Sequence, residues 1–316
     1  MRELIKNPNV DFMGKKAYAF TISGILALLG IVAIIQIALG HANLGVDFAG
    51  GTAVQIKFAQ TVPIHQVRVA LEQGGLKDFD LQDLPTENKI LIRVKKQEEN
   101  LGGASDKITQ ILSEKFADKK PVVDSTTEIG PKVGSKLRQD SMWAIIVSVI
   151  GILGYIAWRF QFRFGVGATI ATFHDVLAVL GIFYLLNKEI NLILLSALLT
   201  IAGYSLTDTV VVFDRIRENM KRYLKEPVDA VVNRSINEVL SRTIITSLTV
   251  FFSSLALFLF GGEVIHDFAL AMLLGVIIGT YSSIFVASPI VILLGRKSSK
   301  GSPAKPVRTE RAAAKK

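Results

Sequence analysis

The sequence contains no cysteine, and only two tryptophans and four histidines among its 316 residues. Without cysteine there is no disulfide scaffold, no thiol nucleophile and no thiolate metal site, although the lack of thiols does not fix a compartment. The histidines, His41, His65, His174 and His266, are scattered and form no His-Glu-x-x-His pair, so a metal hydrolase has no ligand set and no metal is expected. A nucleotide loop is missing as well. The run Gly130-Pro-Lys-Val-Gly134-Ser-Lys136 has spaced glycines but lacks the Gly-Lys-Ser/Thr ending. Basic residues are not interleaved with exposed aromatics in one patch, which argues against nucleic acid as a partner despite a pI near 9.6. No cofactor is called for.

What the chain has in quantity is apolar length. Half of it is hydrophobic, and the mean hydropathy is +0.42. About 20 apolar residues cross a bilayer, and six such runs are present: Ala17–Leu39, Met142–Trp158, Gly165–Leu186, Ile190–Phe213, Ile244–Gly261 and Phe268–Leu294. The first ends in Gly40-His41 without a small-residue cleavage site, so it reads as a retained helix rather than a signal peptide. Lys and Arg sit at the ends of the runs: 4 before the first, 2 after the second, 7 after the fourth and 8 after the sixth. Lys188 alone follows the third run, and Gly262–Asp267 has none. Positive charge marks the cytoplasmic side, which predicts a multi-pass protein of a plasma membrane with both termini in the cytoplasm. The predicted divisions are a cytoplasmic stretch 1–16, a first helix 17–39, an outer domain 40–141, helices two to six over 142–294 with a cytoplasmic connection 214–243, and a tail 295–316. The tail, rich in Pro, Ser, Ala and Lys, is expected to be disordered near anionic lipid head groups.

The outer segment 40–141 balances 14 basic against 14 acidic residues and is long enough for a small core. Thr52–Phe58 alternates with Val54, Ile56 and Phe58 on one face, Leu81 marks a second strand, Ile90, Ile92 and Val94 a third, and Pro121–Thr127 a last one. Helices are predicted over Pro63–Gln73 and over Ser105–Phe116, the latter with Ser105 as its cap. The order β-α-β-β-α-β predicts a ferredoxin-like α+β domain, with Gly50-Gly51 as the turn before its first strand. The fold class is therefore a polytopic α-helical membrane protein of six transmembrane helices, with this domain between helices one and two.

Charges inside the apolar runs are the functional candidates. Asp208 lies six residues before Asp214, about 9 Å inside the edge of the fourth span. An ionised carboxylate there must face protein or water, or bind a proton, which makes it a proton carrier in principle. Ser196, Thr200, Tyr204 and Asp208 recur every four residues; Arg242, Thr246, Thr249 and Ser253 draw a similar stripe on the fifth span. Arg242 is placed to reach inward and pair with Asp208. Two readings of the stripes stay open: a water or proton path, or hydroxyls that bond backbone carbonyls and glue helices. His174 and Asp175 form a second polar site, functional or structural. Gly275, Gly279 and Ser283, with Ala271 and Ala287, form a small-residue face for helix packing, within the chain or against a partner. Pro227 opens an amphipathic stretch, Val228–Leu240, expected to lie as a helix at the cytoplasmic interface.

Several segments together resemble one family. They are Val10-Asp-Phe-Met13, Gly45-Val-Asp-Phe-Ala-Gly-Gly51, Ile129-Gly-Pro-Lys-Val-Gly134, Phe173-His-Asp-Val176, Gly203-Tyr-Ser205, Asp208-Thr-Val-Val-Val-Phe-Asp-Arg-Ile-Arg-Glu-Asn219 and Leu240-Ser-Arg-Thr243. In this order the chain resembles the SecF family, six-span subunits of bacterial SecDF protein-export complexes in the resistance-nodulation-division superfamily. The resemblance implies an inner-membrane subunit that works with SecD and the SecYEG channel, using the proton gradient to draw preproteins outward late in export. It implies no enzymatic chemistry. It also implies proton-relay roles for Asp208 and Arg242, with a partner aspartate in SecD. The competing readings are a structural scaffold of the translocase and a small-molecule efflux subunit.

Overall fold

The computed structural model describes residues 9–76, 79–84, 88–94 and 103–299. In chain order the elements are α1 (Lys16–Ala38), α2 (Val46–Ala49), β1 (Gly51–Lys57), α3 (Ile64–Gln73), β2 (Phe79–Leu84), β3 (Lys89–Val94), α4 (Ala104–Lys115), β4 (Val122–Ile129), α5 (Pro131–Arg159), α6 (Phe162–Leu185), α7 (Leu192–Arg222), α8 (Val228–Phe260), α9 (Glu263–Ser282), a π-helical segment (Ser283–Ala287) and α10 (Ser288–Ser299). Six helical spans among the described residues are long and apolar enough to cross a membrane; α9, the π segment and α10 together make the sixth.

The α+β domain follows from period-two alternation. Val54, Ile56, Ile90 and Ile92 point to one face of a sheet and are buried against Val67 and Leu71 of α3 and Ile108 and Leu112 of α4. Each such side chain withdrawn from water contributes about 1.5–3 kcal/mol. The strands run antiparallel in the order β2-β3-β1-β4, the arrangement of a split βαβ fold. At the entry to β1, Gly50 and Gly51 adopt φ of 71° and 125°, a conformation that side chains resist.

In the membrane bundle α6, α7 and α9 are central, buried over half or more of their apolar stretch, whereas α1, α5 and α8 are buried over less than a fifth. The outer helices expose Ile22, Ile25, Leu28, Ile146 and Phe252, the surface expected of a lipid-facing layer. The sixth span packs inside the chain, so the small-residue face is an internal one. A Cβ on Gly275 would overlap Ile201 of α7.

Four local expectations are corrected. The helix that carries the second apolar run begins at Pro131, whose missing N–H is harmless in a first turn, so residues 131–141 continue that helix instead of standing outside it. The stretch Val228–Leu240 is not a separate interfacial helix; it is the first half of α8, because neither Gly nor Pro interrupts the chain up to Phe260. On its apolar side Val232, Ile236 and Leu240 are buried with Phe12, Phe213 and Ile216, and Val231 is buried as well. Ser105 does not cap α4: Gly103 holds that position, and the Ser105 carbonyl accepts from Thr109 Oγ1 at 2.8 Å. Helix α10 continues through Gly295 to Ser299, since one glycine weakens a helix by only about 1 kcal/mol; the rest of the tail, 300–316, lies outside the described residues.

The domain is fastened to the bundle. Leu44 and Ile190 form a parallel bridge, Gly45 N–H donates to Ile190 O at 3.0 Å, and Ile190 N–H donates to Asn43 O at 2.8 Å. Arg93, out of phase with Ile92 and so on the other sheet face, donates to Asn43 Oδ1 and to Glu189 Oε2, both at 2.8 Å, and to Gln82. Burial pushes the Glu189 carboxyl above its ordinary value, with Arg93 opposing and Asp47 and Asp267 adding to the rise. At the opposite end the Val10–Met13 segment is strapped to α8: Asn233 Oδ1 accepts from Phe12 N at 2.8 Å, and Asn237 Oδ1 accepts from Val10 N at 3.0 Å.

Candidate functional site in the membrane bundle

The polar stripes divide in two. Ser196 and Thr200 are exposed on α7, and their hydroxyls donate back to Leu192 O and Ser196 O, each at 2.8 Å. On α8, Arg242, Thr246, Thr249 and Ser253 are all exposed, and the three hydroxyls bond carbonyls one turn earlier on the same helix. The serine and threonine hydroxyls of both stripes satisfy themselves locally, on the outside of the chain. Inside, Tyr204 Oη donates to Ser247 Oγ of α8 at 3.2 Å, and Ser247 Oγ meets Thr280 Oγ1 of α9 at 2.6 Å.

Asp208 sits at this inner level, 9% exposed. Thr243 of α8 and Ser283 of the π segment are its hydroxyl neighbours, and the Arg242 charge acts on it. Neither hydroxyl reaches bonding geometry, and Asp208 Oδ2 and Thr243 Oγ1 are both buried without a hydrogen bond. The expected ion pair is not formed. Arg242 is exposed on α8 and makes no ion pair with Asp208 among the described residues, although its charge acts on that carboxyl. A buried carboxylate oxygen with no donor is poised to take a donor, a water or a proton.

Three further charges of the Asp208–Asn219 motif, Asp214, Arg215 and Glu218, are held in ion pairs, Glu218 with Arg215 itself. Asp214 pairs with Arg159 of α5 at 2.5 Å, and Arg215 pairs with Glu238 of α8 at 2.6 Å, as does Asn219 by hydrogen bond. His174 and Asp175 are brought together at the centre: His174 Nδ1 lies 2.9 Å from Asp175 Oδ1, while Oδ2 accepts from Ser282 Oγ at 2.7 Å and from Ser205 Oγ. The sequence did not single out Ser205, Thr209, Thr243, Ser247 or Ser282 as site residues. Ser205, Thr209 and Thr243 stand within the quoted motif segments, whereas the only signal of Ser247 and Ser282 is a hydroxyl close in sequence to a marked hydroxyl or small residue.

Residues 108–297 match the family model of the protein export membrane protein SecD/SecF, C-terminal, and residues 42–62 match the SecD/SecF GG motif. The chain belongs to the SecD/SecF protein-export family. The GG motif coincides with the positive-φ pair Gly50-Gly51 that opens β1, and the C-terminal model spans every residue of the bundle site. The protein translocase subunit SecF of Thermodesulfovibrio yellowstonii is 59% identical over 300 residues, covering 94% of this chain and 99% of that protein. The corresponding subunit of Calditerrivibrio nitroreducens is 43% identical, covering 92% and 96%. Among solved structures, the translocon-associated membrane protein SecDF of Thermus thermophilus superposes with a TM-score of 0.81 at 37% identity over 92% of this chain. This chain spans about two fifths of that SecDF chain. The SecD/SecF family assignment carries protein transport and a multi-pass membrane location with it.

Proposed function

We propose that the chain is the SecF-type half of a proton-driven export motor, acting with SecD beside the SecYEG channel to draw preproteins outward late in translocation. It makes and breaks no covalent bond of its substrate. The inner membrane of a bacterium, with both termini in the cytoplasm and the α+β domain outside, is its setting. The observation that carries the reading is Asp208: a buried carboxylate whose Oδ2 has no donor among the described residues, within reach of the charge of Arg242, which is exposed on the outside of α8. A SecD helix seated on that surface, contributing its own carboxylate, would bring Arg242 into an ion-pair network whose charge balance changes when Asp208 binds a proton. One charge crossing the membrane potential is worth about 2.3 kcal/mol per 100 mV, so a few protons per cycle bias a shift of the helices and, through the Arg93–Glu189 junction, of the domain.

The test is preprotein export in inverted vesicles with an imposed proton gradient, comparing wild type with Asp208→Asn while co-purification monitors the complex. Loss of gradient-stimulated export with the complex intact is expected. Unaltered stimulation would leave a scaffold, and the reading would be wrong.

A further inference from the structure

The centre of the bundle holds a carboxylate that the proposed relay does not use. Asp175 of α6 is fully buried. Its Oδ1 meets His174 Nδ1, and its Oδ2 accepts two hydroxyls from two other helices, Ser205 of α7 and Ser282 at the end of α9. The helices close tightly there: a Cβ on Gly279 would lie 3.2 Å from Ser205 Cβ and 3.7 Å from Asp175 Oδ2. A carboxylate in this position is costly, and an apolar filler would join three helices at less expense. What an apolar residue would not supply is direction, because a single oxygen here orients a hydroxyl on each of two helices.

Both oriented residues adjoin the Asp208 site. Ser205 lies one turn before Asp208 on α7. Ser282 immediately precedes Ser283, the first residue of the π segment, and Ser283 Oγ meets Thr209 Oγ1 at 2.9 Å and donates to Gly279 O at 3.0 Å. Thr209 follows Asp208, and Ser283 is its hydroxyl neighbour. The π turn widens the helix at this contact, and Ser288 Oγ donates to the Ser283 carbonyl at 3.0 Å; such bulges recur at functional sites.

We propose that Asp175 is a positioning residue for Asp208: through Ser205 and Ser282 it fixes where the π segment meets α7, and so holds Ser283 and Thr209 around the relay carboxylate. Its functional consequence rests on the role proposed above for Asp208; its geometric content does not.

The natural absence of cysteine provides the assay. Thr209→Cys combined with Ser283→Cys reports the α7–π contact, and Ser247→Cys combined with Thr280→Cys, whose native hydroxyls are 2.6 Å apart, reports a neighbouring α8–α9 contact. Oxidative cross-linking rates are measured in membranes on the assembled complex, with and without Asp175→Asn or Ser282→Ala. The 209–283 rate is expected to fall about fivefold or more in both variants, the factor that a loss near 1 kcal/mol produces, while the 247–280 rate holds within about twofold. An unchanged 209–283 rate, or equal loss at both pairs, overturns the proposal. In the export assay Asp175→Asn is expected to lower gradient-stimulated export with normal complex levels. Full export in Asp175→Asn alongside loss in Asp208→Asn would also overturn it. If Asp208→Asn itself exports normally, the relay reading fails, and the cross-linking result still decides the geometric claim.

Discussion

Replacing Arg93 with methionine should loosen the α+β domain from the bundle without unfolding either. The Arg93 side chain is 8% exposed and that of Glu189 15%, so the pair is buried, and the same guanidinium also serves Asn43 and Gln82. Removing one partner of a buried pair typically costs about 3–5 kcal/mol, because the other is left uncompensated. Glu189 can offset part of this by binding a proton, since burial already raises its carboxyl, so the lower end, about 3 kcal/mol, is the expected loss. That corresponds to a shift of about a hundredfold in the docking equilibrium. The backbone bonds between Gly45, Ile190 and Asn43 report it. Amide exchange at Gly45 and Ile190 should accelerate by about two orders of magnitude, while the β1–β3 ladder keeps its protection. Adding Glu189→Leu to Arg93→Met should restore most of the protection, since an apolar pair of similar volume replaces a buried ion pair at little cost. Acceleration below about threefold in the single variant, less than 1 kcal/mol, would refute the latch.

Further consequences are checked more briefly. Burial raises Glu189 above 4.5, so the docked state holds its proton more tightly than the undocked; docking should be strongest below pH 4.5 and weaken as pH climbs through the raised value, and Glu189→Gln should abolish that dependence of Ile190 exchange. Gly275→Leu, whose Cβ already meets Ile201, should lower the thermal unfolding midpoint in detergent by several degrees, whereas Gly24→Leu, with open space around it, should leave it unchanged. Asn233→Ala removes the acceptor of the Phe12 N–H and the donor to Val10 O; protease cleavage within residues 9–16 should quicken by about fivefold or more, as loss of about 1 kcal/mol or more per hydrogen bond requires.

The features written into local periodicity were readable from the sequence. Val54, Ile56 and Phe58 announced a strand face by alternation, and all three are buried. The six apolar runs announced the spans, and Asp208 stood out because a charge in such a run demands a reason. The failures share a cause. Four-residue spacing groups Ser196, Thr200, Tyr204 and Asp208 on one side of a helix, yet it does not say what that side meets, and the bundle turns the first two outward and the last two inward. Likewise Arg242 and Asp208 stand at a similar level on α8 and α7, with the neighbouring Thr243 beside the carboxyl, but reach across an interface depends on helix rotation, which spacing along one helix does not encode. The Asp175 node was invisible beyond its charge because Ser205 and Ser282 look like any hydroxyls on apolar helices until three helices meet.

Proton movement through Asp208 can be measured directly. In proteoliposomes holding the assembled complex and an engaged preprotein, with a pH-sensitive dye inside, an imposed proton gradient should drive influx in the wild type and almost none in Asp208→Asn or Arg242→Gln at equal complex density. Influx at wild-type rate in Asp208→Asn would contradict the central claim.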